Sequence, residues 1–229
     1  RVPLITNAYS LTPGYINKNP GLWDLDSLRV SLYGVDEKTY DFVTRSKKSY
    51  KMVSKNIRII TRLDVKGKNV VKGVQMEGLR VLGDPEEFAK YYYDQGADEI
   101  IFSDIVASLY GRNNLIDVVS KTAKNIFIPL IVGGGIRSLN DINNLLRAGA
   151  DKIAINSYAT ENPNFINTSV NEFGSSTITI YIEAKKVGEK KWEVYKNYGR
   201  DKTGIDLIYW LNEIQDRNCG EILLTSMIL

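Results

Sequence analysis

The sequence predicts an α/β fold of the (β/α)8 barrel type, on three observations. Short runs rich in Ile and Val occur without polar alternation, as parallel strands covered on both faces require. Amphipathic stretches with helix-start and helix-stop residues separate them. The strand candidates number eight, the count that closes such a barrel. At 229 residues, 43% hydrophobic and 25% charged, the chain has the length and balance of one globular barrel. An open doubly wound sheet is the alternative arrangement of the same elements.

In chain order, residues 1–51 supply two units. VPLITN is the first strand, with a loop rich in Pro, Gly and Asn after it. SLRVSLYGV is the second, followed by the helix-like DEKTYDFVTRSKKSYKMVSKN. Residues 52–229 supply six more, on the strands RIITRLDV, DEIIFSDIVA, IPLIVGGGI, DKIAINS, STITIYIEAK and EILLTSMIL. Between them, Asp84-Pro85 opens the helix EEFAKYYYDQ, an N-cap acceptor followed by a residue whose missing N–H is harmless in the first turn. Ser138 with Asp141 caps DINNLLRAG, and the glycine beyond each of these helices suits a left-handed C-cap. KKVGEKKWEVYKNYG, with a turn near Val187-Gly188, reads as a hairpin-like loop insertion flanked by solvated Lys185, Lys186, Lys190 and Lys191. Tyr91, Tyr92 and Tyr93 face several directions on their helix and are expected to pack rather than to stack on a ligand.

Composition excludes several functions. A net charge of +3 from 30 basic and 27 acidic residues does not predict a nucleic-acid partner. No apolar run reaches the ~18 residues of a membrane span, and the expected location is the cytoplasm, with no membrane partner. With no histidine, proton transfer falls to carboxylates, Lys or Tyr, and the commonest transition-metal ligand is missing; neither a metal nor a cofactor is expected. The single cysteine, Cys219, is expected to be a half-buried, unreactive thiol. The opening on Arg1 and the stop on Ser226-Met227-Ile228-Leu229 read as a fragment or a hybrid.

The candidate site lies at the carboxyl ends of the predicted strands, where Asp64, Asp104, Asn156 and Glu183 stand. A carboxylate closing an apolar strand is costly to bury alone, so this set points to a polar, ligand-facing mouth, whereas any single one reads equally as a solvated cap. Gly133, Gly134 and Gly135 precede a helix start, an arrangement that suits phosphate and also suits a tight strand-to-helix turn. Arg58, Glu99, Lys152 and Glu221 begin their strands and so share the opposite end of a barrel.

RLDVKG, VVKG, EGLRVLGDP, DIVAS, PLIVGGGI, AGADKIAIN, FGSSTI and GEILLTS, in this order over about 170 of the 229 residues, resemble the cyclase subunit of imidazole glycerol phosphate synthase, a (β/α)8 barrel of histidine biosynthesis. The resemblance implies a lyase that uses ammonia on a phosphoribulosyl-formimino aminoimidazole carboxamide nucleotide. It implies two opposed catalytic carboxylates, Asp64 as general acid on the substrate ketone and Glu183 where histidine-pathway members carry Asp. Lys72, Asp104, Gly134 and Asn156 fall on substrate-contacting positions. It also implies that Arg58, Glu99, Lys152 and Glu221 gate ammonia arriving from a docked glutaminase subunit; a salt-bridged plug is the other reading of those four. The extra methylene of Glu183 moves its carboxyl by ~1.5 Å, enough to impair the cyclase, because misplacements of ~1 Å can cost ~100-fold.

PLITNAYSLTP and the stretch from Asp24 to Val53 resemble strands four and five of a radical S-adenosylmethionine barrel, but Cys219 alone cannot hold that family's cluster. The expectation is a hybrid, a single barrel over 1–229 in which two foreign units complete six cyclase-like ones that start near Met52. Two other functions fit the same residues: partnering a glutaminase in amidation of a surface sugar, and a non-catalytic chimeric scaffold with residual phosphate binding.

Overall fold

The computed structural model describes residues 4–6, 28–30, 59–74, 78–107, 115–189 and 191–226, and the chain divides into two compact units, Arg1–Ile59 and Ile60–Leu229. In the first unit β1 (Leu4–Thr6) and β2 (Leu28–Val30) pair in parallel, Leu4 opposite Leu28. Both lie in segments the sequence predicts as strands. The helix expected after β2 lies outside the described residues.

The second unit runs β3 (Ile60–Lys66), β4 (Asn69–Val74), β5 (Gly78–Gly83), α1 (Pro85–Asp94), β6 (Glu99–Asp104), α2 (Ile116–Thr122), β7 (Leu130–Gly133), α3 (Leu139–Ala148), β8 (Lys152–Ile155), α4 (Ser157–Glu161), α5 (Asn164–Phe173), β9 (Ile178–Gly188), β10 (Lys191–Lys196), β11 (Asp201–Asp206), α6 (Leu207–Asp216) and β12 (Glu221–Ser226). The six predicted strands of residues 52–229 are β3, β6, β7, β8, β9 and β12. They lie side by side in chain order and all parallel, the neighbour order of a (β/α)8 barrel. Among the described residues the sheet is open, because β3 and β12 do not pair. Four strands exceed the eight expected: β4 and β5 form an antiparallel hairpin beyond β3, and β10 and β11 an antiparallel extension of β9.

The absence of polar alternation has its cause in the two buried faces. On β6, Ile100 and Phe102 turn toward the helices and are fully buried, while Glu99, Ile101 and Ser103 turn to the inner face and are buried as well. The outer layer joins Leu63, Ile100, Phe102, Val132, Ile153 and Ile180 to Ile142 and Leu145 of α3 and Trp210 and Ile214 of α6. Each such aliphatic side chain contributes about 1.5–3 kcal/mol on burial. The inner layer is smaller: Ile101, Ile131, Ala154 and Tyr181, with Ile60 and Leu223 against them.

Helix ends follow the sequence signals. Asp84 accepts from the Glu86 N–H ahead of Pro85, and Asp206 caps α6 by accepting from Ile208 and Tyr209. On α3, Ser138 and Asp141 form a reciprocal capping box, and Gly149 ends the helix at φ +111°, a left-handed conformation that a side chain would strain. Such caps are worth about 1 kcal/mol each, and here they fix where each strand–helix turn falls.

Candidate functional site

Strand alternation stacks the inward residues in layers. The lowest holds Glu99, Lys152 and Glu221. Lys152 Nζ donates to Glu99 Oε1 at 2.7 Å and to Glu221 Oε1 at 2.9 Å, with Glu99 only 1% exposed. Three of the four charges predicted at strand starts are thus one cluster; Arg58 lies outside the described residues. Above it is the apolar inner layer. Above that, toward the carboxyl ends, come Arg62, Ser103, Asn156, Glu183 and Thr225, and then Asp64.

The two predicted catalytic carboxylates share this mouth and are linked through side chains. Arg62 Nε donates to Asp64 Oδ1 at 2.9 Å, and Arg62 Nη1 donates to the Tyr181 hydroxyl at 2.5 Å and to Thr225 Oγ1 at 3.4 Å. Tyr181 in turn donates to Glu183 Oε1 at 3.2 Å. The guanidinium carbon lies 4.9 Å from the Tyr181 ring centre, a cation–π contact. Burial works against the Arg62 charge, but Tyr181 and Asp64 outweigh it and hold the group protonated.

Glu183 is saturated. Besides Tyr181, it accepts at Oε2 from Asn156 Nδ2 at 3.0 Å and from the Gly199 N–H at 3.1 Å, and it is 1% exposed. Burial raises its pKa against those donors. As pH rises through 4.5, the unfolded chain therefore releases this proton before the folded one does, and stability falls until the folded pKa is passed. Glu183→Gln removes that decline but keeps only one acceptor oxygen, so the variant's urea midpoint is expected to stay flat over the pH range in which that of wild type falls. Midpoints of wild type and variant that run parallel from acid to neutral pH would contradict it.

A cavity opens beside this chain, lined by Gly134, Gly135, Asn156, Ser157, Tyr181 and Tyr198. Gly134 has φ +114°, and a Cβ there would lie 2.6 Å from the Asp104 carbonyl oxygen, so glycine is needed for the close approach of β7 to β6. Gly133, the last residue of β7, pairs with Ala154 and does not line the cavity. The start of α3 is capped within itself: Asp141 Oδ2 accepts from the Arg137 and Ser138 N–H groups, and Ser138 Oγ accepts from the Asp141 N–H.

Two predicted contact residues stand elsewhere. Asp104 is 2% exposed and its Oδ1 accepts from the Val106 and Ala107 N–H groups, closing its own turn under Gly134; burial raises its pKa. Lys72 is exposed on β4, opposite Arg80, away from the cavity. Cys219 is half-buried, and burial pushes its thiol up to about 11, which leaves it protonated at neutral pH.

The segment read as a loop insertion belongs to the site. Its turn between β10 and β11 places Asn197, Tyr198 and Gly199 in succession at φ 53°, 63° and 68°. Left-handed backbone at the two non-glycine residues costs on the order of 1–3 kcal/mol each, so the surroundings must hold it. They do: the Tyr198 hydroxyl bonds Ser103 Oγ at 2.5 Å, the Asn197 N–H donates to Ser157 Oγ at 3.1 Å, and Gly199 holds Glu183. Arg62, Tyr181, Tyr198, Ser103 and Ser157 are the site residues that sequence reasoning missed. The alternation of RIITRLDV and STITIYIEAK already puts Arg62 on the face of Asp64 and Tyr181 on that of Glu183.

Among the described residues no group of three His, Cys, Asp or Glu converges as a metal site, and no helix is long and apolar enough to cross a membrane.

Parallel strands in barrel order, with polar groups gathered at their carboxyl ends and an ion-pair cluster at the other, define a protein of the (β/α)8-barrel type. Residues 58–228 match the family described as "Histidine biosynthesis protein", and the chain belongs to that family. It is similar to the protein named imidazole glycerol phosphate synthase subunit HisF of Legionella pneumophila, 54% identical over 172 residues that cover 75% of this chain and 81% of that relative. The protein of the same name from Bacillus cereus (strain Q1) is 56% identical over 170 residues, 74% of this chain and 68% of the relative.

Proposed function

We propose that the chain acts as a cyclase-type lyase of imidazole glycerol phosphate synthase, closing the imidazole ring with ammonia on a phosphoribulosyl-formimino aminoimidazole carboxamide nucleotide, at a reduced rate. The observation that carries the reading is the pair Asp64 and Glu183 in one mouth, joined through Arg62 and Tyr181 beside a glycine-turn cavity suited to a phosphate. Ring closure with loss of water needs groups that give and take protons, and two carboxylates in different environments divide that work. Asp64 is the more exposed of the two and meets the substrate ketone. Glu183 carries its carboxyl one methylene farther than Asp would and is fixed there by three donors, and that displacement is the source of the reduced rate. Residues 1–51 are proposed to complete the barrel as foreign units, and a glutaminase is the proposed ammonia donor at the Lys152 end.

The test is ammonia-dependent turnover of the purified chain on the bisphosphate nucleotide. Glu183→Asp shortens the side chain by one methylene, frees its carboxyl from the Gly199 N–H, and is expected to raise turnover; no gain at saturating ammonia would remove the explanation for the reduced rate. A wild-type chain with no turnover at all would overturn the cyclase reading. The fixed Glu183 above the cluster of Lys152, Glu99 and Glu221 favours a second reading, ammonia delivery with a glutaminase for amidation of a surface sugar. Stimulation of a glutaminase without any change to the nucleotide would support it over the first, and phosphate binding alone would leave a non-catalytic scaffold.

A further inference from the structure

Arg62 has no place in the roles assigned so far, yet it is the centre of the mouth. Two of its three nitrogens are engaged: Nε with Asp64, and Nη1 with Tyr181 and Thr225. Nη2 makes no hydrogen bond among the described residues. The side chain is 26% exposed, so a fixed positive charge with an unused donor is held at the rim rather than dissolved in solvent. Tyr181 and Tyr198, whose ring centres lie 4.9 and 6.0 Å from its guanidinium carbon, also line the cavity that begins at Gly134 and Gly135. The glycine turn and the rings that flank Arg62 therefore face one cavity.

From this geometry we infer that Arg62 is a substrate-contacting residue whose Nη2 group donates to the reacting ketone oxygen, next to Asp64. This deepens the cyclase reading and rests on it. In the addition step the ammonia lone pair forms the C–N bond and the carbonyl π pair moves onto oxygen. One proton passes from the added nitrogen through the second oxygen of Asp64 to the new alkoxide, giving a neutral carbinolamine. Arg62 stays protonated throughout and stabilises the charge while it exists. A guanidinium pre-positioned by Asp64, Tyr181 and Thr225 does this without reorganising, which is the condition under which such donors are most effective.

The experiment compares wild type, Arg62→Lys and Arg62→Ala in ammonia-dependent turnover, with far-ultraviolet circular dichroism and inorganic phosphate binding to establish that each variant is folded. Arg62→Ala is expected to lower kcat about 100- to 1000-fold, the loss typical of one oxyanion donor, with a smaller change in KM. Millimolar guanidinium ion, far below denaturing levels, is expected to restore at least tenfold of that loss in Arg62→Ala and to do nothing for wild type. Arg62→Lys, a point charge without the planar fork, is expected to fall between the two. A folded Arg62→Ala that keeps wild-type kcat, or one that loses it without guanidinium rescue, overturns the inference while leaving the cyclase reading intact. A wild-type chain with no turnover overturns the cyclase reading, and this inference with it.

Discussion

Asp64→Asn is expected to lower ammonia-dependent kcat about 100- to 10,000-fold, the range removed with one general acid or base. The amide matches the carboxylate in shape, and its oxygen can still accept from Arg62 Nε, so the layer formed by Arg62, Tyr181 and Glu183 has no steric reason to rearrange. What the amide cannot do is exchange a proton. The loss should therefore fall on kcat, with KM and the urea midpoint close to wild type. Turnover that survives in the folded variant would remove Asp64 from the mechanism.

Lys152→Met should destabilise the fold by about 3–5 kcal/mol, the cost of breaking a buried ion pair from one side. Lys152 is 16% exposed and donates to two carboxylates, one of them the 1% exposed Glu99, so its loss removes the cation these two carboxylates share. Burial disfavours the ammonium, but its bonds to Glu99 and Glu221 outweigh that and raise its pKa. A cation with a raised folded pKa contributes fully below 10.5 and loses its contribution only as pH rises through the folded value. The difference between variant and wild type should thus persist across neutral pH in urea unfolding. Adding Glu99→Gln and Glu221→Gln should recover much of it, because uncharged groups need no counter-ion. A single variant as stable as wild type would show the cluster to be solvated.

Much of the site was legible in one dimension. Asp64 and Glu183 end apolar strands, and Glu99, Lys152 and Glu221 begin them, so parallel strands in register gather each set at one end. Two of the predicted contact residues have surroundings the sequence did not reveal. Asp104 has the sequence context of a ligand-facing carboxylate, and the Val106 and Ala107 N–H groups that follow it donate to its Oδ1, so it also closes its own turn. Lys72 follows β3 closely in sequence, yet the antiparallel hairpin of β4 and β5 carries it to the surface. KKVGEKKWEVYKNYG has hairpin chemistry, and nothing in its pattern reveals that the next turn folds back over Glu183.

By itself, then, the sequence determined where six strands of residues 52–229 lie and the face each presents, because uninterrupted Ile and Val runs are stable only when covered on both sides, and side-chain alternation leaves no freedom once one face is set. It also determined the helix ends at Asp84, Ser138, Asp141 and Gly149. Tertiary structure alone decided how the inward groups pair. Arg62 meets Tyr181 across 119 positions, Ser103 meets Tyr198 across 95, and Glu183 is held by Asn156 and Gly199. Such pairings depend on the register between strands and on a turn strained into left-handed backbone, and both are set by packing rather than by local preference.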